Sequence, residues 1–351
     1  MIKYAKYLFN KKNVLPIHLI FEVTSKCNAR CITCFNWQKT DYKVHKEWSL
    51  EHIEKISSSM GDLLWLSLTG GEVFLRDDLI EIMKIFIKNN HPENITLPTN
   101  SLLPDKIRNA VKGILDIYNK NFVVVLSLDG ISDMHDKIRG VKGNFEKFLQ
   151  TYELLNRLKE DYPNFHIGVN TVINSVNQNN IREIFSYVKK NLKVESHTFE
   201  IMRGCSRSSD VKAPSLDFYK NNKEFLKKVM KSYSYYSLNP LSAFLKAAKV
   251  YYHDIAYKIM KSKKQLIPCY AGILSAVIDI NGNVYPCELY KKFGNLKEQG
   301  YNFKKLWFSE NANKIRKEIS NKKCYCYHSC FQFVNLVFNL RMYPKMIRHL
   351  V

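Results

Sequence analysis

The sequence predicts an α/β fold in which six βα units form a complete or partial (β/α) barrel, followed by a small cysteine-rich α+β extension. Over residues 17–232, short apolar runs alternate with amphipathic helical patterns, which is typical of repeated βα units and a mostly parallel sheet. Beyond about residue 233 this alternation stops, and five of the nine cysteines fall between residues 269 and 330. An open doubly wound sheet is the alternative fold, because it uses the same units.

Six apolar runs are the predicted strands. They are continuous rather than alternating, as expected of parallel strands that are buried on both faces. They lie at residues 17–23, 63–69, 94–99, 122–128, 166–173 and 197–202. Between them, apolar residues recur at helical spacing, for example Leu79, Ile82, Met83 and Phe86, and such stripes indicate helices that pack on the sheet.

The composition bounds the class of protein. The chain has 351 residues, of which 46% are hydrophobic, and this excludes a disordered or collagen-like protein. Its formal charge of +22 favours anionic partners on electrostatic grounds, although a generally lysine-rich composition is the favoured explanation. The sequence has no run of ~20 apolar residues and no secretory signal, so we expect a cytoplasmic protein.

Four segments are predicted from these shifts in pattern. Residues 1–16 form a basic N-terminal segment, 17–232 the barrel, 233–335 the extension and 336–351 an amphipathic tail. The tail mixes aromatic and aliphatic residues with late basic ones, so it lies on an anionic membrane surface or in a partner groove, or it packs as a helix on the domain. The packed helix is the favoured interpretation.

Three cysteines, Cys27, Cys31 and Cys34, lie directly after the first predicted strand, where the loops of a barrel carry its chemistry. Because the cytosol is reducing, nine cysteines indicate metal or redox chemistry rather than disulfides. A closed zinc site uses four ligands, whereas an iron–sulfur cube held by three thiolates leaves one iron open to another ligand.

This Cys-x3-Cys-x2-Cys spacing resembles that of the radical S-adenosylmethionine (SAM) superfamily. The resemblance implies a partial (β/α)6 TIM-type barrel and a [4Fe-4S] cluster on the three thiolates, whose open iron binds SAM. In this family, reductive cleavage of SAM gives a 5′-deoxyadenosyl radical that abstracts a substrate hydrogen. One departure is Thr33, where the family usually has an aromatic residue, with Phe35 just beyond the third cysteine.

Further motifs resemble the family's SAM-binding residues in the expected order. The glycine-rich motif after the second strand implies a contact with the amino group of SAM, and a serine and an arginine further along imply contacts with its carboxylate. The residues that match are Gly70, Gly71 and Glu72, then Asn100, then Ser127 and Arg139, with Asn170 and Met202 as weaker matches near the ribose and adenine. Val73 replaces the proline that often follows the acid.

The second cysteine group resembles the family's auxiliary-cluster extensions, called SPASM and, in a shorter form, Twitch. Cys269, Gly282 and Cys287 have the matching spacing, and Asn281-Gly282 predicts the turn of a hairpin between the two cysteines. The resemblance implies one auxiliary [4Fe-4S] cluster, held by Cys269, Cys287, Cys330 and one of Cys324 and Cys326. A structural zinc site with four cysteines is the alternative.

Two polar residues beside these cysteines carry separate expectations. Glu288 follows Cys287, and in sulfatase-maturing relatives an acid at this position is proposed to accept a proton, so Glu288 is a candidate general base. A solvated acid on a turn is the alternative. His328 lies between Cys326 and Cys330 and is expected at the surface rather than as a ligand.

The resemblance predicts a radical SAM enzyme that abstracts a substrate hydrogen, with a flavodoxin- or ferredoxin-type protein as its reductant. The basic surface and the tail slightly favour an anionic lipid or sugar metabolite as substrate. The alternatives are a ribosomal peptide or protein maturase and, in another class, a non-catalytic zinc protein that binds nucleic acid. Nucleic acid is not favoured, because no basic and aromatic recognition pattern is present.

Overall fold

The computed structural model describes residues 2–41, 46–234 and 240–350. Its strands are β1 His18–Thr24, β2 Trp65–Gly70, β3 Asn94–Thr99, β4 Asn121–Ser127, β5 Phe165–Ile173, β6 Ser196–Ile201, β7 Ser275–Ile278, β8 Asn283–Tyr285 and β9 Gly294–Asn295. Its helices are α1 Lys6–Phe9, α2 Trp37–Thr40, α3 Leu50–Ser58, α4 Leu79–Asn90, α5 Pro104–Leu115, α6 Asp133–Arg139, α7 Asn144–Leu158, α8 Ile181–Asn191, α9 Leu216–Lys231, α10 Pro240–Ser262, α11 Phe303–Trp307, α12 Glu310–Ser320, α13 Ser329–Val337 and α14 Tyr343–Ile347.

The six predicted strands are present, and each begins and ends within two residues of its prediction. In the described residues the sheet runs β6-β5-β4-β3-β2-β1-β7-β8-β9, and neighbouring strands from β1 to β6 are parallel. Spatial order therefore follows chain order, as in a partial barrel. A doubly wound sheet would reverse its strand order at a switch point, so that alternative is wrong.

Burial explains why the strands are continuously apolar. All seven residues of β1 are buried, and the side chains of Leu19, Phe21 and Val23 have no exposed surface. The predicted helical stripe on α4 packs on the sheet, because Leu79, Ile82, Met83 and Phe86 are all buried. The edge-to-face contact between Phe21 and Phe86, with ring centroids 5.4 Å apart, joins strand and helix.

The extension continues the barrel sheet instead of forming a separate one. β7 pairs in parallel with β1 from His18↔Ser275 to Phe21↔Ile278, and β8 and β9 then add antiparallel strands. The predicted hairpin is confirmed: Gly282 lies in its turn with φ +92°, which glycine adopts without strain. The Tyr- and Ser-rich boundary of the extension falls largely on residues 235–239, which lie outside the described residues.

The C-terminal tail packs on the domain, as favoured by the sequence. Met346 of α14 is fully buried, and the ring of Tyr343 lies 4.6 Å from that of Phe244 on α10. Ile347 remains about half exposed. Among the described helices, none combines the length and hydropathy needed to cross a membrane.

Candidate active site

The three cysteines Cys27, Cys31 and Cys34 lie on one loop between β1 and α2, and all are unpaired and partly buried. Backbone hydrogen bonds hold this loop against the segment after α6: the N–H of Arg30 donates to the carbonyl of Arg139 (3.1 Å), and that of Ile32 to Ile138 (2.9 Å). Burial raises the pKa of all three thiols, that of Cys34 to about 11, and the thiols also perturb one another. The three thiols therefore face a common space.

Two glycines let the end of β2 pack against this loop. The N–H of Gly71 donates to the carbonyl of Thr24 at 2.9 Å. A Cβ on Gly71 would lie 1.9 Å from the carbonyl oxygen of Lys26 and 3.0 Å from the Cβ of Cys27, and one on Gly70 would lie 2.2 Å from the carbonyl oxygen of Thr24. Only glycine fits here, so the motif is required by close backbone approach.

Glu72 is 2% exposed and ties the turn after β3 to the glycine motif. Its carboxylate accepts hydrogen bonds from the N–H of Asn100 (2.7 Å) and the hydroxyl of Thr99 (3.0 Å). Burial raises its pKa to about 7, against the effect of these bonds. Asn100 in turn donates to the side chain of Asn28 (2.7 Å) and lies 4.0 Å from the sulfur of Cys27.

Arg139 is the cation of this site. Its Nη1 donates to Asp129 at 3.1 Å, the side chains being 12% and 1% exposed. Its Nε is buried and has no hydrogen-bond partner in the described part of the chain. The charge of Arg139 also lowers the pKa of the Cys31 thiol, against the larger effect of burial. Asp129 lies two residues after Ser127, but its pairing with Arg139 depends on α6 folding back over the strand end.

The remaining predicted SAM contacts lie on neighbouring strands. Ser127 at the end of β4 is half-buried and stands in register with Asn170 on β5. Asn170 accepts a hydrogen bond from Thr198 at 2.9 Å, and Met202 is buried just after β6. The structure thus brings these residues to one edge of the sheet, and their contacts with SAM stay predictions.

The residues of this site fit a [4Fe-4S] cluster and SAM. Three unpaired thiols are available as the predicted cluster ligands, and the unpartnered Nε of Arg139 leaves the guanidinium able to bind a carboxylate. In the described part of the chain, no three Cys, His, Asp or Glu side chains converge closely enough to hold a single metal ion. A [4Fe-4S] cluster separates its thiolates more widely than a single ion does.

In the extension, four thiols perturb one another: those of Cys269, Cys287, Cys324 and Cys326. Burial raises the pKa of each, that of Cys269 to about 12. Cys330 is exposed at the start of α13, and its thiol acts on Arg203. The structure therefore brings both Cys324 and Cys326 to Cys269 and Cys287, whereas the ligand set predicted from the sequence includes Cys330 and stays a prediction.

Glu288, the candidate base, is held between two cations. Its Oε2 accepts hydrogen bonds from Nη2 (2.9 Å) and Nε (3.2 Å) of Arg203 and lies 2.5 Å from Nε2 of His328. Although burial opposes it, these charges hold the pKa of Glu288 well below its usual range. His328 is 3% exposed, so the expectation that it lies at the surface is wrong: its pairing with Glu288 offsets the cost of burial.

A cavity of about 230 Å³ opens between the carboxyl end of β6 and the extension. Its lining residues come from both parts of the chain: Glu200, Ile201, Arg203, Gly204, Leu289, Tyr325, Cys326, Tyr327 and His328. Leu289 and Tyr325 are 45% and 44% exposed, so the rim is apolar. The hydroxyl of Ser329 donates to both carboxylate oxygens of Glu200 at 2.6 Å.

A second ion-pair network joins the cysteine loop to the extension. Lys39 on α2 donates to both oxygens of Glu22 at 2.9 and 3.0 Å and lies 3.7 Å from Asp279 in the hairpin. Glu22 also accepts from the N–H of Ile280 at 3.1 Å. Sequence reasoning missed this network and Arg203, because the partners are far apart in the chain and no local pattern marks them.

Comparisons with known proteins agree with this site. Residues 21–188 match the family model described as the radical SAM superfamily, and residues 269–331 match SPASM, described as an iron–sulfur cluster-binding domain. Together the two matches span both cysteine groups.

Relatives that align over most of the chain include the following two proteins. The antilisterial bacteriocin subtilosin biosynthesis protein AlbA of Bacillus subtilis is 26% identical over 334 residues, which cover 89% of this chain and 67% of that protein. The cysteine-type anaerobic sulfatase-maturating enzyme of Clostridium novyi is 25% identical over 339 residues, covering 89% and 86%.

Solved structures share the fold. Native anSMEcpe with bound AdoMet has a TM-score of 0.59 at 18% identity and covers 95% of this chain and 96% of that one. Streptococcus suis SuiB bound to S-adenosylmethionine has a TM-score of 0.58 at 16% identity, covering 90% of this chain and 70% of that one.

Proposed function

The chain belongs to the radical SAM superfamily and carries a SPASM domain, and from this premise we propose that it is a maturase that modifies a peptide or protein. It is an enzyme whose cofactors are SAM, the SAM-binding [4Fe-4S] cluster and auxiliary iron–sulfur. When bound, cluster and SAM together supply a radical that removes a substrate hydrogen. Family membership excludes the alternative of a non-catalytic zinc protein.

Within this proposal the first site holds the cofactors. Cys27, Cys31 and Cys34 ligate the cluster, and Arg139 binds the SAM carboxylate through its guanidinium. Gly71 allows SAM to approach the backbone, and Glu72 fixes the turn that carries Asn100. Because a single thiol loop holds the cluster next to these groups, the reacting centre lies at the carboxyl end of the strands.

The cavity beside β6 is the observation that carries the choice of substrate. Pockets for whole small molecules occupy about 300–1,000 Å³, whereas this cavity is about 230 Å³. Its size suits one side chain of a longer substrate, and the exposed Leu289 and Tyr325 offer an apolar rim for the flanking residues. A peptide fits the small cavity and the apolar rim better than the anionic lipid or sugar that was expected from charge alone.

The relatives support the same choice. The aligned Bacillus protein is named for the biosynthesis of a bacteriocin, and the aligned Clostridium protein is named for the maturation of a sulfatase. Both names point to a polypeptide as the molecule that is modified. The AdoMet-dependent heme synthase of Methanosarcina barkeri aligns over a similar share, 86% of this chain and 84% of that protein, at 25% identity. Relatives at lower coverage are named Fe-coproporphyrin III synthase and GTP 3',8-cyclase, so the superfamily alone does not fix the substrate. Neither the names nor the fold give support to membrane contact.

Glu288 is proposed to position Arg203 at the cavity floor. Its two ion pairs favour the charged carboxylate, and a carboxylate with a lowered pKa is a weak proton acceptor. The general-base role expected from the resemblance stays a prediction. A flavodoxin- or ferredoxin-type protein is the proposed electron donor, and a cytoplasmic location stays a prediction as well.

The test is hydrogen transfer from a labelled substrate. The chain, reconstituted anaerobically and reduced with dithionite, is incubated with SAM and with deuterated peptides encoded beside its gene. A parallel sample receives a deuterated lipid-linked sugar in phosphatidylglycerol vesicles. We expect deuterium in 5′-deoxyadenosine and a mass change in the peptide, both absent in the Cys27→Ala variant. Transfer from the lipid-linked sugar and not from peptide would refute the proposal.

A further inference from the structure

Three exposed lysines, Lys291, Lys322 and Lys323, form a lysine patch beside the mouth of the cavity at β6. Leu289 lines the cavity, and Lys291 follows it two residues later. Tyr325 also lines the cavity, and Lys323 precedes it by two residues. The side chain of Lys291 is 69% exposed. The two stretches of chain that form the apolar rim therefore also supply the lysines.

Contacts with Glu318, near the end of α12, hold these two stretches together. Its Oε2 lies 3.3 Å from Nζ of Lys291. On the other stretch, the N–H of Lys323 donates to the backbone carbonyl of Glu318 at 3.3 Å, and the N–H of Lys322 donates to that of Ile319 at 3.0 Å. All three lysines therefore lie around the C-terminal end of α12.

The lysine patch carries more charge than its surroundings balance. Glu318 is the acid of residues 289–292 and 311–327, and it offsets one of the three lysines. Within the described chain, neither Lys322 nor Lys323 forms an ion pair. Net positive charge therefore remains at the rim, where a ligand meets it.

Inside the cavity, by contrast, the charges have both signs. Glu200 and Arg203 both line it, and Arg203 is paired with Glu288 at 2.9 Å. A side chain that enters the cavity thus meets no single sign of charge. Selection by charge falls to the substrate residues that stay outside, where they face the lysine patch.

We infer that the substrate peptide carries acidic residues beside the side chain that enters the cavity, and that the lysine patch binds them. The inference rests on the proposed function and names the class of peptide. Opposite charges across a rim steer the encounter and select the partner, whereas a basic segment is repelled. Exposed ion pairs are weak one by one, so several carboxylates must meet the patch together.

Two fluorescent peptides test the inference on the reconstituted full chain. Both carry a central benzoylphenylalanine, which is a photo-cross-linker, and they differ only in having glutamate or glutamine at the flanking positions. Fluorescence anisotropy measures their affinities, and irradiation followed by mass spectrometry locates them. We expect the glutamate peptide to bind more tightly at low salt and the preference to shrink at high salt. Cross-links are expected in residues 289–291 and 322–327.

Matched variants tie this binding to the lysine patch. Lys291→Gln, Lys322→Gln and Lys323→Gln, combined in one chain, should weaken binding of the glutamate peptide by about fivefold, since each exposed pair contributes little. Arginine at the same three positions keeps the charge and should retain the wild-type affinity. The control variant replaces three exposed lysines of α4, α7 and α8 with glutamine and should change the affinity by less than about twofold. These are Lys84, Lys147 and Lys190.

Three results would each overturn the inference: equal affinities of the two peptides for the wild type, equal losses in the patch and control variants, or cross-links outside the cavity rim. A larger loss of affinity for phosphatidylglycerol vesicles, single-stranded RNA or a flavodoxin than for the glutamate peptide would also overturn it. The lysine patch would then serve a membrane, a nucleic acid or the electron donor.

A folding defect and a failure of the proposed function are both separable from this outcome. Iron content is measured for each variant, and if the triple glutamine variant loses iron, Lys291→Glu decides, because Lys291 adjoins no cysteine. Charge reversal there should weaken binding of the glutamate peptide by about threefold, and an unchanged affinity would overturn the inference. The absence of deuterium transfer from every peptide would refute the proposed function, whereas these affinities are measured without SAM.

Discussion

Lys39→Met is expected to destabilise the chain by about 3 kcal/mol. The substitution leaves the carboxylates of Glu22 and Asp279 without their shared cation, and these side chains are 7% and 2% exposed. Removing one partner of a buried pair costs about 3–5 kcal/mol, and the lower end applies because Lys39 is itself 27% exposed. The hydrogen bond from Ile280 to Glu22 also remains.

The loss should depend on pH in a defined direction. Burial raises the pKa of Glu22 above its ordinary value of 4.5, and Lys39 acts to lower it. Without Lys39 the folded-state pKa rises further, so the folded state binds more protons than the unfolded state. The loss of unfolding free energy in Lys39→Met is therefore complete above the folded-state pKa of Glu22, and it disappears as the pH falls toward 4.5.

Urea unfolding at pH 8 and pH 5, followed anaerobically by circular dichroism, measures this effect. The matched control is Lys55→Met, which removes an exposed pair with Glu51 and should change stability much less than Lys39→Met does. Equal losses for the two methionine variants, or a Lys39→Met loss that is no smaller at pH 5, would refute the reasoning.

Three further outcomes follow from the site. Gly71→Ala should abolish iron binding at the first cysteine group and leave auxiliary iron in place, because the new Cβ would lie 1.9 Å from a backbone oxygen. Iron analysis measures this loss, and a full iron content would contradict the prediction. Arg139→Lys should weaken SAM binding by about tenfold or more, since lysine loses the bidentate geometry. Equilibrium dialysis measures the affinity for SAM, and an unchanged affinity would contradict the prediction. Wild type should bind about eight irons, and the variant lacking Cys27, Cys31 and Cys34 should bind about four. Zinc in place of iron in the wild-type chain would exclude both clusters.

Local signals in the sequence were sufficient for the strands and for the first cysteine group. Buried parallel strands must be continuously apolar, and three thiols on one short loop share a site wherever the loop lies. The strands and the cysteine loop depend on neighbours in the chain, so pattern alone reveals them. Gly71 was predicted through the family resemblance, because the carbonyl of Lys26 that excludes a Cβ there lies far away in the chain.

Long-range ion pairs could not be predicted in this way. Glu22 meets Asp279 through Lys39 only because β7 pairs with β1, and Arg203 meets Glu288 only because the extension lies over the end of β6. His328 was misplaced for the same reason: a histidine between cysteines in the sequence suggests a surface loop, and its buried partner is 40 residues away.

The pairing of β7 with β1 attaches both cysteine groups to one sheet. β1 leads directly into the loop of the first group, and β7 leads through the hairpin to Cys287 of the second. Four consecutive residue pairs fix the register between these strands, and the Glu22–Lys39–Asp279 contacts fix their ends. The separation of the two groups is therefore set by backbone hydrogen bonds within one sheet.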